Sequence, residues 1–273
     1  MDLKQKKSVR ALVITGFGLN CEKETECALR EAGADVTLAH LNDVLAGQAR
    51  LADFHVLAFI GGFSFGDHLG AGTVFSNRVK SKLADQIQDF VAAGKLLIGI
   101  CNGFQTMTRL GIIPALNDGG DQEVALAQNA RGVFRDDWVT LVADPDSPCV
   151  FTKGIKTIEL PIRHGEGRFI PADERVLAAL EAQHLAVLRY ADPETGKATQ
   201  EFPFNPNGSV NAIAGICDPS GRVFGLMPHP EAYLSPYNHP LWTRQKLAGS
   251  LPEKGLGQQI FDNAVAFAAE HLL

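Results

Sequence analysis

Three apolar runs in the first hundred residues, VRALVIT (9–15), FHVLAFI (54–60) and KLLIGI (95–100), show little alternation between polar and apolar positions. A strand with one wet face alternates, whereas a strand covered on both faces does not. ADVTLAH (34–40) adds a further strand. Between these runs the pattern turns helical. EKETECALREAG stops at Gly33, and Val79, Leu83, Ile87, Phe90 and Val91 recur at helical spacing before Gly94. Strands alternating with helices, and covered on both sides, predict an α/β fold around a parallel sheet.

The second half is richer in strand signals. WVTLVA (138–143), TIELPI (157–162) and AVLRY (186–190) are strand candidates, and AIAGICDPSGRVFGLMPHPE (212–231) reads as a hairpin turning on Asp218-Pro219-Ser220-Gly221. GQQIFDNAVAFAAEHLL closes the sequence as an amphipathic helix expected to pack on the sheet. With no internal repeat and no low-complexity linker, residues 1–273 read as a single domain.

Chemistry begins where the run at 95–100 stops. Gly99-Ile100-Cys101-Asn102-Gly103 is a Gly-x-nucleophile-x-Gly pattern carrying sulfur. A strand turning sharply into a helix strains its central residue, and the flanking glycines remove side chains that would collide. The thiol is expected to stand exposed at the carboxyl end of the sheet, where open α/β sheets bind ligands. The helix N-terminus there favours the thiolate form of a cysteine. Such a nucleophile needs a base. GLMPHPE places His229 and Glu231 two residues apart at a strand end, and Pro230 biases His229 towards extended geometry. In an extended chain the two side chains share a side, so the carboxylate can hold the imidazole in one tautomer. Oxyanion donors are readable as the N–H of Asn102, after the nucleophile, and that of Gly62 in the strand-end loop FIGGFSFGDHLGAG (59–72). Neither a full GxGxxG nor a P-loop pattern accompanies that loop, which argues against a nucleotide-phosphate cradle.

Composition narrows the class. The formal net charge is −6 and the basic residues are scattered, so nucleic acid is not expected as a partner. Five dispersed cysteines form neither a CxxC pair nor a Cys/His ligand cluster, so no metal site and no disulfide framework is indicated, and a reducing, cytoplasmic setting is expected. The basic opening MDLKQKK leads into a strand-like run too short for a secretory signal, and no run approaches the roughly 18 apolar residues of a membrane span.

The elbow at Cys101, the strand-end Gly61-Gly62 and the His-Pro-Glu motif together resemble the class I glutamine amidotransferases. GGFSFGDHLGAG, GICNGFQTMTRLGIIP, QNARGVFRDDWVTL, LPIRHGEGRF and GLMPHPE resemble, more narrowly, the glutaminase component of phosphoribosylformylglycinamidine synthase, and the likeness covers almost the whole chain. The resemblance implies a flavodoxin-like, three-layer α/β/α sandwich with a mostly parallel central sheet. It implies that Cys101 attacks the glutamine side-chain amide, that Gly62 and Asn102 stabilise the oxyanion, and that His229, oriented by Glu231, moves protons. Gln105, with Gly61 and Phe63, falls at positions that line the glutamine pocket. Ammonia would pass to a large synthetase subunit, with or without a small third subunit, to make the amidine of purine biosynthesis. ATP and magnesium would be used by that partner, and no cofactor would be bound by this chain.

HGEGRF (164–169) offers a rival pair, His164 and Glu166. Its glycines suggest a loop suited to docking, so His164, Glu166 and Arg168 are expected near a partner interface rather than at the chemistry. Cys21, in GLNCE, lacks the second flanking glycine of an elbow and is set aside as nucleophile. Two stretches, 183–204 and 235–257, exceed a compact glutaminase, and the latter is read as an insertion that either docks on a partner or is a solvated excursion. The alternatives are another α/β cysteine hydrolase, such as a γ-glutamyl hydrolase, or a flavodoxin-like interaction module with an inert Cys101.

Overall fold

The computed structural model describes residues 8–117 and 120–273; the basic opening at residues 1–7 lies outside them. The chain begins β1 (Arg10–Thr15), α1 (Glu22–Glu31), β2 (Asp35–His40), a short α2 (Leu41–Leu45), β3 (Val56–Phe59), α3 (Thr73–Ala92), β4 (Leu96–Ile100) and α4 (Asn102–Leu110). β1 pairs in parallel with β2 on one side and β3 on the other, and β3 pairs in parallel with β4. Parallel crossovers are right-handed, so the step from β1 out to β2 and the opposite step from β3 to β4 put their helices on opposite faces. Accordingly α1 packs with the C-terminal helix, and α3 with α4. Leu12, Ile14, Leu57, Phe59, Leu97 and Ile100 are at most 1% exposed, which explains the missing alternation. Each such side chain contributes about 1.5–3 kcal/mol.

The remaining elements are β5 (Val124–Gln128), β6 (Arg135–Ala143), β7 (Thr157–His164), β8 (Glu166–Pro171), α5 (Glu174–Ala182), β9 (Leu188–Ala191), β10 (Ile213–Cys217), β11 (Val223–Leu226), α6 (Trp242–Leu247) and α7 (Gln258–His271). The main sheet has nine strands in the order β2-β1-β3-β4-β11-β10-β9-β6-β7, and β5 and β8 form a separate antiparallel pair. β11 joins β4 in parallel, and β10, β9, β6 and β7 extend the sheet antiparallel. The expected hairpin at Asp218–Gly221 is the β10–β11 turn. The result is an α/β/α sandwich with an antiparallel wing that carries the β-rich second half.

Two local expectations need correction. HGEGRF is strand rather than loop: His164 ends β7, Glu166 opens β8, and only Gly165 separates them. Its second glycine serves packing, since a methyl at Gly167 would lie 2.3 Å from Cε1 of the His164 ring. The segment 235–257 is partly anchored. His239 is buried between Trp138 and Tyr233 and reaches Glu159, whereas Leu247, Tyr237 and Leu241 are exposed. Among the described residues no helix is long and apolar enough to cross a membrane.

Candidate active site

Cys101 sits between β4 and α4 with φ +51° and ψ −106°, the strained elbow expected from its flanking glycines. Close approach accounts for those glycines: a methyl at Gly103 would lie 2.0 Å from the Phe59 carbonyl oxygen, and one at Gly99 would lie 2.2 Å from Met107 Sδ. One expectation fails here. The thiol is buried, with the residue only 4% exposed, because the end of β7 covers it; the Arg163 carbonyl lies 3.9 Å from Sγ.

Register brings His229 to it. Leu226 pairs with Ile100, and Cys101 N–H donates to the Leu226 carbonyl at 2.8 Å. Parallel neighbours finish on the same side of a sheet, so the residues after Leu226 emerge beside Cys101. His229 follows, held by its N–H to the Pro161 carbonyl at 2.8 Å. Its Nδ1 lies 2.6 Å from Glu231 Oε1, and both residues are buried. The pair forms across a 3-10 turn (Pro230–Ala232) rather than along an extended chain. Burial alone would lower the His229 pKa. The Glu231 carboxylate, the Cys101 thiol and Cys21 together outweigh it, and the imidazole is held well above its ordinary value. The thiol of residue 101 and the imidazole of residue 229 therefore meet, both buried.

The Gly61-Gly62 loop is tied to the loop after β1. The Gly61 carbonyl accepts from Asn20 N–H at 3.2 Å, and Phe63 N–H donates to the Gly18 carbonyl at 3.0 Å. A planar trans peptide then points the Gly62 N–H away from Asn20. Gly61 has no room for a side chain, since a methyl there would lie 2.7 Å from His229 Cε1 and 3.1 Å from Cys21 Sγ. Asn102 opens α4, where the first N–H groups have no intrahelical partner. Gln105 is buried one turn on; its Nε2 donates to the Glu166 carbonyl, and its Oε1 accepts from Asn102 Nδ2 at 3.1 Å. Phe63 is 41% exposed, with its ring 6.1 Å from that of Phe134.

Further groups enter that the sequence did not place at this site. Cys21, dismissed as nucleophile, places its thiol 3.9 Å from His229 Nδ1, 208 residues away in sequence. Burial holds that thiol's pKa up. The donor atoms of Cys21, His229 and Glu231 lie within 4.8 Å of one another, a spacing that could suit a metal, but Nδ1 is already engaged by Glu231. Asp67 lies in the strained 59–72 loop at φ +54°, accepting from Asn102 Nδ2 at 3.2 Å. Burial and the nearby Glu166 charge raise its pKa to about 6. Glu166 in turn accepts the Ala71 N–H at 3.1 Å, which fastens the loop to β8. Tyr190 is fully buried and feels the charge of Cys101, which adds to burial in raising its pKa. His164, expected at a partner interface, is instead 2% exposed and close enough to His229 to feel its charge. Glu166 and Arg168 are half-buried. Only the glycine-rich context of Cys21 and Asp67, each after a strand's carboxyl end, hinted at their place.

Residues 8–268 match the family model of the CobB/CobQ-like glutamine amidotransferase domain. The chain therefore belongs to the glutamine amidotransferases. It is 43% identical over 266 residues to the phosphoribosylformylglycinamidine synthase subunit PurQ of Methanococcus maripaludis, covering 94% of this chain and 98% of that one. It is also 43% identical over 263 residues to PurQ of Dehalococcoides mccartyi, covering 96% and 98%. Among solved structures it matches a chain of PurLQS from Thermotoga maritima, with TM-score 0.68, 30% identity, and coverage of 96% of this chain and 99% of the other. Within the amidotransferases, the chain belongs to the PurQ family.

Proposed function

We propose that this chain is the glutaminase component of phosphoribosylformylglycinamidine synthase, releasing ammonia from glutamine for a large synthetase partner in purine biosynthesis. The observation that carries the reading is the buried meeting of Cys101, His229 and Glu231 at the ends of two adjacent parallel strands. His229 takes the thiol proton, and Cys101 Sγ attacks the carboxamide carbon. The N–H groups of Gly62 and Asn102 receive the oxyanion; one such donor is worth about 10²–10³ in rate. The C–N bond breaks as His229 returns the proton to nitrogen, leaving ammonia and a γ-glutamyl thioester. Water, deprotonated by His229, then releases glutamate and the thiol. Glu231 holds His229 in place throughout, and Gln105, Gly61 and Phe63 shape the pocket.

The partner reading is supported by the Drosophila melanogaster phosphoribosylformylglycinamidine synthase, in which 94% of this chain aligns, at 34% identity, with 19% of a longer protein. In this reading the partner uses ATP and magnesium, this chain binds neither, and the enzyme works in the cytoplasm. The test is mass spectrometry after exposure to a glutamine-mimicking chloroketone. A single adduct on Cys101 is expected; an adduct on Cys21 instead, or none, contradicts the assignment.

A further inference from the structure

Cys21 serves none of the steps above, yet its thiol rests 3.9 Å from Nδ1 of the His229 ring. The backbone around it is tied down. Thr25 donates to the Cys21 carbonyl from its N–H, at 3.1 Å, and from its hydroxyl, at 2.8 Å. Asn20 N–H donates to the Gly61 carbonyl at 3.2 Å. The thiol proton has a weak acceptor in Asn20 Oδ1 at 3.5 Å. Glu231 supplies a third donor. Its Oε1 holds Nδ1, while its Oε2 is buried with no partner among the described residues, on a side chain only 1% exposed. Sulfur, nitrogen and carboxylate oxygen lie within 4.8 Å of one another, and all three residues are buried.

A thiolate, an imidazole and a carboxylate suit zinc, whereas magnesium and calcium take oxygen donors. Tetrahedral zinc sets sulfur and nitrogen ligands roughly 3.6 Å apart, and nitrogen and oxygen ligands roughly 3.4 Å apart. The thiol and ring already stand near that spacing, and the ring and carboxylate have to part by about 0.8 Å. What joins Nδ1 to Oε1 is a proton, which a metal replaces. Zinc displaces two protons in all, one from the Cys21 thiol and one from Nδ1, and both pass to solvent. The dication is then balanced by the thiolate and the Glu231 carboxylate, as burial demands. Three protein donors leave the fourth tetrahedral position to water.

We propose that Cys21, His229 and Glu231 form an inhibitory zinc site that switches off the catalytic histidine. With Nδ1 given to Glu231, the nitrogen left to serve Cys101 is Nε2. Catalysis needs Nε2 alternately bare and protonated, and a neutral imidazole allows this because its second nitrogen carries the other proton. With zinc on Nδ1, the ring's one proton sits on Nε2, and a bare Nε2 would be an imidazolate. The ring then no longer shuttles protons near neutral pH. The metal site follows from the three side chains alone; its effect on turnover rests on the glutaminase reading.

Cobalt(II) added to the purified chain reports the site through a sulfur-to-cobalt charge-transfer band, which zinc abolishes by displacement. The band is expected in the native protein and in Cys101→Ser, and should vanish in Cys21→Ala. In the complex with the synthetase, zinc should stop glutamate formation from glutamine, and a chelator should restore it. The zinc concentration for half-inhibition should rise at least about tenfold in Cys21→Ala, whose activity without zinc shows that it folds. A band kept in Cys21→Ala or lost in Cys101→Ser overturns the proposal, as does equal zinc sensitivity of the native and Cys21→Ala enzymes. Glutamine turnover by Cys101→Ser would instead sink the glutaminase reading and leave the cobalt band in place.

Discussion

His229 Nδ1 and Glu231 Oε1 stand 2.6 Å apart, both side chains buried, across a turn that contains Pro230 between them. The carboxylate fixes the ring and favours its charged form. Glu231→Gln should therefore cut kcat for glutamine hydrolysis by about 10²–10⁴, the scale seen when a buried carboxylate partner of a catalytic histidine is neutralised. Steady-state assays across pH check this, and a change of less than threefold contradicts the role.

The same pair gives a pH-dependent stability. His229 is raised above its ordinary value, so its contribution is fully present below about pH 6.5 and is lost as pH climbs through the elevated folded value. The thermal midpoint of the native protein should exceed that of Glu231→Gln most at pH 6, and the gap should shrink towards pH 9. A gap that widens with pH would contradict the ion pair.

Asp67 runs the same way for a different reason. Its carboxyl is raised to about 6 by burial and by Glu166, so the folded state resists ionisation that the unfolded chain accepts near 3.8. Stability present at low pH is lost between about pH 4 and 6. Asp67→Asn should raise the thermal midpoint at pH 8 and leave it nearly unchanged at pH 4; denaturation scans at the two pH values decide.

Cys101→Ser in the reconstituted complex should abolish glutamine-dependent amidine synthesis and leave ammonia-dependent synthesis intact. Cys21→Ala should keep activity within about threefold, because a buried thiol with a raised pKa is a poor nucleophile. Equal losses in the two variants would reverse the assignment.

Gly61→Ala tests the crowding around His229. The added methyl would press on the imidazole and on the Cys21 thiol. Activity should fall at least tenfold while circular dichroism shows a retained fold. Unimpaired activity would mean that the ring tolerates displacement.

The resemblance to the amidotransferases was legible because its motifs are local. Gly99 and Gly103 bracket Cys101 within five residues, and the His-Pro-Glu spacing alone pairs His229 with Glu231. The Asn129–His164 bond and the Asp67–Glu166 repulsion left no such trace, since each joins side chains from loops or strands distant in sequence. The exposure of Cys101 was misjudged for the same reason: its cover is the end of β7, contributed by the antiparallel wing.

By itself the sequence determined the strand–helix alternation, the strained elbow and the candidate acid–base pair, because backbone sterics and periodic burial act over a few residues. Only the tertiary structure decided that β11 lies parallel beside β4, that Cys21 closes on His229 and that His164 turns inward. Those placements depend on strand order and mutual packing, which no short window of residues records.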